Sequence, residues 1–158
     1  MRTVARATAD VDALYREIAP GLWRAVLAYT GGRKDIADDA VGEAFARAIE
    51  HLDRIRSPYP WLYRIAFRIA AVELHRDVRE PSPSVIHEDE PQTVDLMRAL
   101  RQLPPGERAA IYLHYQADRP IRDVAKLTGT SVAATKVRLH RGRNRLRQLL
   151  GTGDSDDD

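Results

Sequence analysis

The densest run of side chains able to do chemistry lies near the C-terminus, where Lys136, Arg138, Arg141, Arg143, Arg145 and Arg147 recur with no acidic residue among them. On a helical wheel Val132, Thr135, Leu139, Gly142, Leu146 and Leu149 form one stripe, the pattern of a face that packs inward. The outward arc carries Ala133, Val137, His140, Arg141 and Asn144, flanked by Lys136, Arg138, Arg145 and Arg147. A helix of about 19 residues spans about 28 Å, and the major groove of B-DNA admits one. Small residues near its start permit close approach, and the cations reach bases or phosphates. Bidentate base contacts specify, whereas phosphate contacts orient. A solvated, coiled-coil-like face is the competing reading, and the unbroken positive sign favours DNA.

Two further surfaces have a chemical character of their own. In Trp61-Leu62-Tyr63-Arg64-Ile65-Ala66-Phe67-Arg68-Ile69-Ala70, apolar residues cover most of the helix circumference and Arg64 and Arg68 make an i, i+4 cationic edge toward His75 and Arg76. Core packing alone accounts for Trp61 and Phe67. Rings beside arginines also suit single-stranded nucleic acid, since bases stack on π-faces while cations track phosphates. Upstream, Ala37, Ala40, Val41, Ala44, Phe45, Ala48 and Leu52 share one face of a helix. The opposite face mixes Asp38, Asp39, Glu43 and Glu50 with Gly42, Ala46 and Ile49. That combination suits a dock for a basic partner helix, and an ordinary acidic face fits equally well.

Catalytic constellations are missing from the pattern. His51, His75, His87, His114 and His140 fall in no metal-ligand spacing, and no glycine-rich phosphate loop follows a strand. Asp35, Asp38, Asp39 and Glu43 could in principle hold a divalent ion, but a partner face is the simpler account. With no cysteine there is no disulfide, thiolate nucleophile or cysteine-metal site. The expectation is a non-enzyme with no cofactor and no metal.

The elements that must position these surfaces are all helical. Among the 158 residues, 44% are hydrophobic and 30% charged, the balance of a globular chain, and no stretch of apolar/polar alternation suggests a sheet. A first helix capped by Asp10 is expected to be interrupted or restarted by Pro20 near Leu22 and ended by Gly31-Gly32. A second spans about Asp35 to Leu52. Ser57-Pro58-Tyr59-Pro60 reads as a rigid turn before a third, from Trp61 to about Arg79. Three prolines and four acids between Glu80 and Gln92 mark a linker, so the two halves should move relative to each other. Four more helices follow, from about Thr93 to Leu103, Pro105 to Tyr115, Pro120 to Leu127 and Ser131 to Leu149. Thr128-Gly129-Thr130 joins the last two as a helix-turn-helix with Ser131 as cap. The expected architecture is all-α, with domains at 1–79 and 93–150, a linker at 80–92 and an acidic tail at 151–158.

Charge follows the same division. Residues 98–150 hold 12 basic against 3 acidic side chains, a net +9, between segments 78–97 (1 against 5) and 151–158 (four aspartates). Such a block is the footprint of a polyanion-binding domain. The tail reads as a solubilising segment, or one that folds back on the basic helix. No run approaches the ~18 apolar residues of a membrane span, and no secretory signal is present, so the expected location is the cytoplasm.

In this order, the segments resemble the extracytoplasmic-function group of the sigma-70 family of bacterial transcription initiation factors, from about Leu14 to Leu150. Asp35 to Ala48 looks like the acidic helix that binds the polymerase clamp. Trp61-Leu62-Tyr63-Arg64-Ile65-Ala66 matches the family's Trp-Leu-aromatic-Arg-Ile-Ala signature. Leu103-Pro104-Pro105-Gly106-Glu107-Arg108 and Ser131 to Arg147 resemble the family's second DNA-binding region. The resemblance implies core RNA polymerase as partner through Asp38, Asp39, Gly42 and Glu43. It implies minus-10 promoter contacts from Arg56, Trp61, Tyr63, Arg64 and Arg68, and minus-35 contacts from Lys136, Val137, Arg138, His140, Arg141 and Arg143. It further implies a linker threading toward the polymerase interior, an anti-sigma partner and no enzymatic activity. Gly42 stands where the family usually has Gln, Arg68 where it has Asn, and Val72 where it is acidic or polar. The loop before Trp61 is short and stiffened by proline. The alternative is a sigma-like helix-turn-helix regulator acting without polymerase.

Overall fold

The computed structural model describes residues 4–77 and 98–151, and every regular element among them is helical. The expected linker 80–92, the helix start at Thr93 and the tail aspartates lie outside the described residues.

α1 (Val4–Tyr29) runs unbroken through Pro20, and Asp10 lies inside it rather than at its cap. Pro20 is exposed while Ile18, Leu22 and Val26 are buried. The hydrogen bond that proline withholds is therefore lost on the solvent side, and burial of three large aliphatics outweighs its cost of ~3 kcal/mol. α1 closes at Gly31 and Gly32, with φ of +70° and +99°, and the Gly32 N–H donates to the Leu27 carbonyl at 2.9 Å.

α2 (Lys34–His51) falls where its periodicity places it. α3 (Pro58–Arg76) starts at Pro58 instead of Trp61, because Pro58-Tyr59-Pro60 form its first turn. Proline is accepted there since the first N–H groups of a helix have no intrahelical acceptor.

In the second domain residues 98–101 are helical, and α4 (Pro105–Ile111) passes into a π-helical stretch, Tyr112–Gln116. α5 (Ile121–Thr128) and α6 (Val132–Leu150) follow. α1, α2 and α3 pack on one another, α6 packs on α4 and α5, and contacts of α1 with α4 and of α3 with α5 join the domains. Leu22 and Leu62 of the first and Leu113, Val124 and Leu139 of the second belong to one continuous buried cluster. The domains expected to move separately thus share a core in this conformation, an association that no local pattern announces. Among the described residues, no helix is long and apolar enough to cross a membrane.

Candidate nucleic-acid and partner surfaces

The turn before α6 is fixed by backbone and hydroxyl groups together. Gly129 adopts φ +69°, and the Thr130 N–H donates to the Ala125 carbonyl at 3.0 Å. Ser131 caps α6 by accepting the Ala134 N–H at 3.0 Å. Thr130 hydroxyl lies 3.1 Å from that of Thr128 and 3.0 Å from that of Thr135, while Thr135 donates to the Ser131 carbonyl at 2.9 Å. This chain of hydroxyls sets the angle between α5 and α6.

Of the inward stripe, Thr135, Leu139 and Gly142 are buried and Leu146 is half-buried. Val132 and Leu149, expected inward, are each 42% exposed, because the stripe is covered only over the middle of the helix. Lys136, Val137, His140 and Arg141 are exposed on the outward arc. His140 Nε2 lies 3.2 Å from Asn144 Nδ2. The other cations divide. Arg138 is half-buried with its guanidinium over Gly106, where a Cβ would stand 3.1 Å from Cζ. Arg143 donates to the Tyr115 hydroxyl at 2.8 Å and faces the space between the domains. Arg145 Nε pairs with the buried Glu107 carboxylate at 3.3 Å, a charge contact without hydrogen-bond geometry. Lys136, Arg141 and Arg147 have no such partner among the described residues, leaving three free cations on α6.

On α3 and the loop before it, Arg56, Arg64 and Arg68 are exposed and Trp61 is half-buried. Tyr63 is 3% exposed, stacked on Tyr59 with ring centroids 5.0 Å apart. Burial pushes its phenol pKa up, and the Tyr59 hydroxyl at 3.3 Å adds to this. It is a core side chain in this conformation. The Arg64 stem lies against Gly129, whose Cβ would meet it at 3.4 Å, so the cationic edge of α3 touches the helix-turn-helix.

α2 presents Asp38, Asp39, Gly42 and Glu43 to solvent, with Ala46 and Ile49 beside them. Ile49 is 61% exposed, a large aliphatic left outside on the same helix as these acids. Asp38 accepts the Trp23 indole N–H at 2.7 Å, and Glu43 is bridged by Arg47 at 3.1 Å. Nothing lies within 4 Å of a Cβ at Gly42. Among the described residues, no group of three His, Asp or Glu side chains could hold a metal ion.

Residues 14–79 match the family described as Sigma-70 region 2, and residues 93–146 match Sigma-70, region 4. A relative, the ECF RNA polymerase sigma factor EcfG of Rhodopseudomonas palustris, is 30% identical over 85% of this chain and 82% of its own length. The chain belongs to the extracytoplasmic-function group of the sigma-70 family. Another relative of this sigma factor, the ECF RNA polymerase sigma factor SigE of Mycolicibacterium smegmatis, is 28% identical over 92% of the chain, which spans 63% of that protein's length. The sigma factor RpoE of Bartonella quintana, solved in complex with the anti-sigma factor NepR, shares the fold with a TM-score of 0.75. It is 20% identical, over 92% of this chain and 99% of its own.

Sequence reasoning passed over two groups that hold this sigma factor together. Arg33, 5% exposed, donates to Asp35 at 3.0 and 2.7 Å and to Asp77 at 2.6 Å, tying the start of α2 to the end of α3. The Arg33 hydrogen bonds hold the Asp35 carboxyl below its usual pKa. The adjacent Arg33 and Asp35 were a visible signal, but Asp77 is distant in sequence. Arg119 reaches from the second domain to the first, with its guanidinium 5.0 Å from the centroid of the Tyr59 ring and a hydrogen bond to the Tyr59 hydroxyl. Nothing in the local sequence pairs those two.

Proposed function

We propose that this chain is a promoter-specificity subunit, which docks on core RNA polymerase, reads promoter DNA and assists strand opening while the polymerase supplies the chemistry. One observation carries the reading: a single chain, matched by both sigma-70 regions, turns an acidic helix with exposed apolar residues and an acid-free basic helix outward. Asp38, Asp39 and Glu43 on α2, with Gly42 between them, form the polymerase face. Asp38 is pre-positioned by Trp23. Lys136, Val137, His140 and Arg141 reach into the minus-35 major groove, with Arg138 and Arg143 at its margins. Arg56, Trp61, Arg64 and Arg68 receive the minus-10 strand as it melts. An extruded base costs a few kcal/mol of stacking, which a ring face and phosphate contacts offset. Tyr63 supports that edge from inside the core.

In this reading the functional domains are 1–79 and 93–150, the protein works in the cytoplasm without a cofactor and has no enzymatic activity of its own. Its further partner is an anti-sigma factor, the class of protein bound to the Bartonella relative. The test is run-off transcription with purified core polymerase on a promoter library, beside an Arg64→Ala, Arg68→Ala variant and a Lys136→Ala, Arg141→Ala variant. Start-site-specific transcripts that both variants lose support the reading. No transcript and no co-elution with core polymerase, with duplex binding retained, would assign a polymerase-independent DNA-binding regulator instead.

A further inference from the structure

A cavity of about 730 Å³ lies between the two domains, within the size range of small-molecule sites. Its walls are aliphatic and aromatic: Leu27, Tyr59 and Tyr63 from the first domain, Leu100, Tyr112 and Leu146 from the second. Arg24, Arg101, Arg108, Arg119 and Arg143 also line it, and among the described residues no acidic side chain does. Two of these arginines already have hydroxyl partners, Arg119 in Tyr59 and Arg143 in Tyr115.

Arg108 is in a different position. It is 8% exposed, and among the described residues its Nη1 reaches only the Arg101 carbonyl, at 3.4 Å, and its Nε has no partner. Arg101 Nε, also buried, is likewise unpartnered. The neighbouring carboxylate, Glu107, is engaged by Arg145. Gly31 leaves the space the Arg108 guanidinium occupies, where a Cβ would collide with it. Burial lowers the Arg108 pKa, and the tyrosine at 29 opposes this only in part. A desolvated cation with no counter-charge among the described residues is costly to keep, and in a cavity it marks a place where an anion completes the electrostatics.

We propose that the interdomain cleft binds a small aromatic anion, with its acidic group on Arg108 and Arg101 and its ring body against the tyrosine and leucine walls. An α-helix with its side chains is about 10 Å across, so the cavity would hold fewer than two turns of one. That favours a small molecule over a partner helix. The proposal does not rest on the promoter-recognition reading and stands whether or not that reading holds.

The test uses the full chain and two fluorescent probes of the same shape, the sulfonate 8-anilinonaphthalene-1-sulfonate and the uncharged N-phenyl-1-naphthylamine. The sulfonate should bind one molecule per chain, at least about tenfold more tightly than the neutral probe, as expected for a charge-assisted contact. Arg108→Met and Arg101→Met should each weaken sulfonate binding about tenfold and leave neutral-probe binding unchanged. Arg147→Met, outside the cleft, should change neither. Arg108→Met removes a buried unpaired charge at similar volume, so its melting temperature should not fall; if that variant fails to fold, Arg101→Met carries the same comparison. Equal affinity for the two probes, or unchanged sulfonate affinity in the arginine variants, overturns the proposal. So does a large gain in sulfonate affinity on deleting residues 152–158, which would show that the chain's own aspartates fill the cleft.

Discussion

Replacing Arg141 with glutamine should flatten the salt dependence of duplex binding, whereas replacing Arg143 should leave it unchanged. The reason lies in which cations of α6 are already committed. Arg138 lies over Gly106, Arg143 donates to Tyr115 and Arg145 pairs with Glu107, while Lys136, Arg141 and Arg147 have no partner among the described residues and are available for phosphate. Each phosphate contact on B-DNA contributes about 0.9 to the slope of log K against log salt. Three free cations therefore supply a slope of about 3, and a fourfold rise in salt costs about fortyfold in affinity through them. Had all six engaged phosphate, the slope would be about 5 and the loss about two-thousandfold. The assay is fluorescence anisotropy of a labelled duplex with the holoenzyme, from about 50 to 200 mM salt, with each variant read against wild type so that the polymerase's own contribution cancels. Arg141→Gln should lower the slope by about 1, and the Lys136→Gln, Arg141→Gln, Arg147→Gln variant by about 3. A triple variant that keeps the wild-type slope, or an Arg143→Gln variant that loses as much as Arg141→Gln, would refute the division of cations.

Two glycines in helices should respond to alanine with opposite sign. At Gly42 nothing lies within 4 Å of the new Cβ, so Gly42→Ala gains about 1 kcal/mol of helix propensity and raises the melting temperature by about 2–4 °C. At Gly142 the Cβ would stand 2.9 Å from Cγ1 and 3.2 Å from Cδ1 of the buried Ile111. Overpacking of about 1–3 kcal/mol then exceeds the same gain, and thermal unfolding should move down; a rise would contradict the packing of α6 on α4. The Arg33 bridge predicts a pH signature. Because the Asp35 pKa is lower in the folded chain than in the unfolded one, its stabilisation is fully present above the unfolded value of about 4 and is lost as pH falls through the folded value. The stability difference between wild type and Asp35→Asn should accordingly be flat from about pH 7 to 5 and vanish in stronger acid, which urea titrations at a series of pH values would check. Finally, Arg119→Ala removes both the cation–π contact and the hydrogen bond to Tyr59 that cross the domains, so small-angle scattering should report a larger radius of gyration. An unchanged radius would mean that the apolar contacts alone hold the domains together.

Glycine pairs, caps and charge sign were legible in the sequence because each acts within a few residues. Gly31-Gly32 ends α1, Gly129 and Ser131 frame the helix-turn-helix, and the acid-free arc of α6 faces outward as its wheel requires. Pro20 misled because local propensity sees the missing N–H but not the burial of Leu22 and Val26 that outweighs it. The resemblance puts Tyr63 among the minus-10 residues, while a wheel of α3 without a clear polar face does not say which side is covered; in this conformation Tyr63 lies in the core. The sorting of the α6 cations depended on Gly106, Glu107 and Tyr115, all on another element. So did the closure of the domains, which rests on contacts such as Tyr59 with Arg119, 60 residues apart.

That closure couples the surfaces described above. Arg64 stands on the edge of α3 proposed above for the melting strand, and its stem rests against Gly129 of the helix-turn-helix. A strand laid along Arg64 and Arg68 therefore competes with the α3 to α5 contact, and full engagement of that edge requires the domains to part. Parting them also takes Arg24 and Tyr59 away from Arg108 and Tyr112, which dismantles the cleft. A ligand that binds only the closed form stabilises it by RT ln(1 + [L]/Kd), about 2.7 kcal/mol at a hundred times Kd. An aromatic anion in the cleft and single-stranded DNA on α3 would then oppose each other without sharing an atom. The coupling is reciprocal, so the anion should weaken strand binding by the same factor by which the strand weakens anion binding.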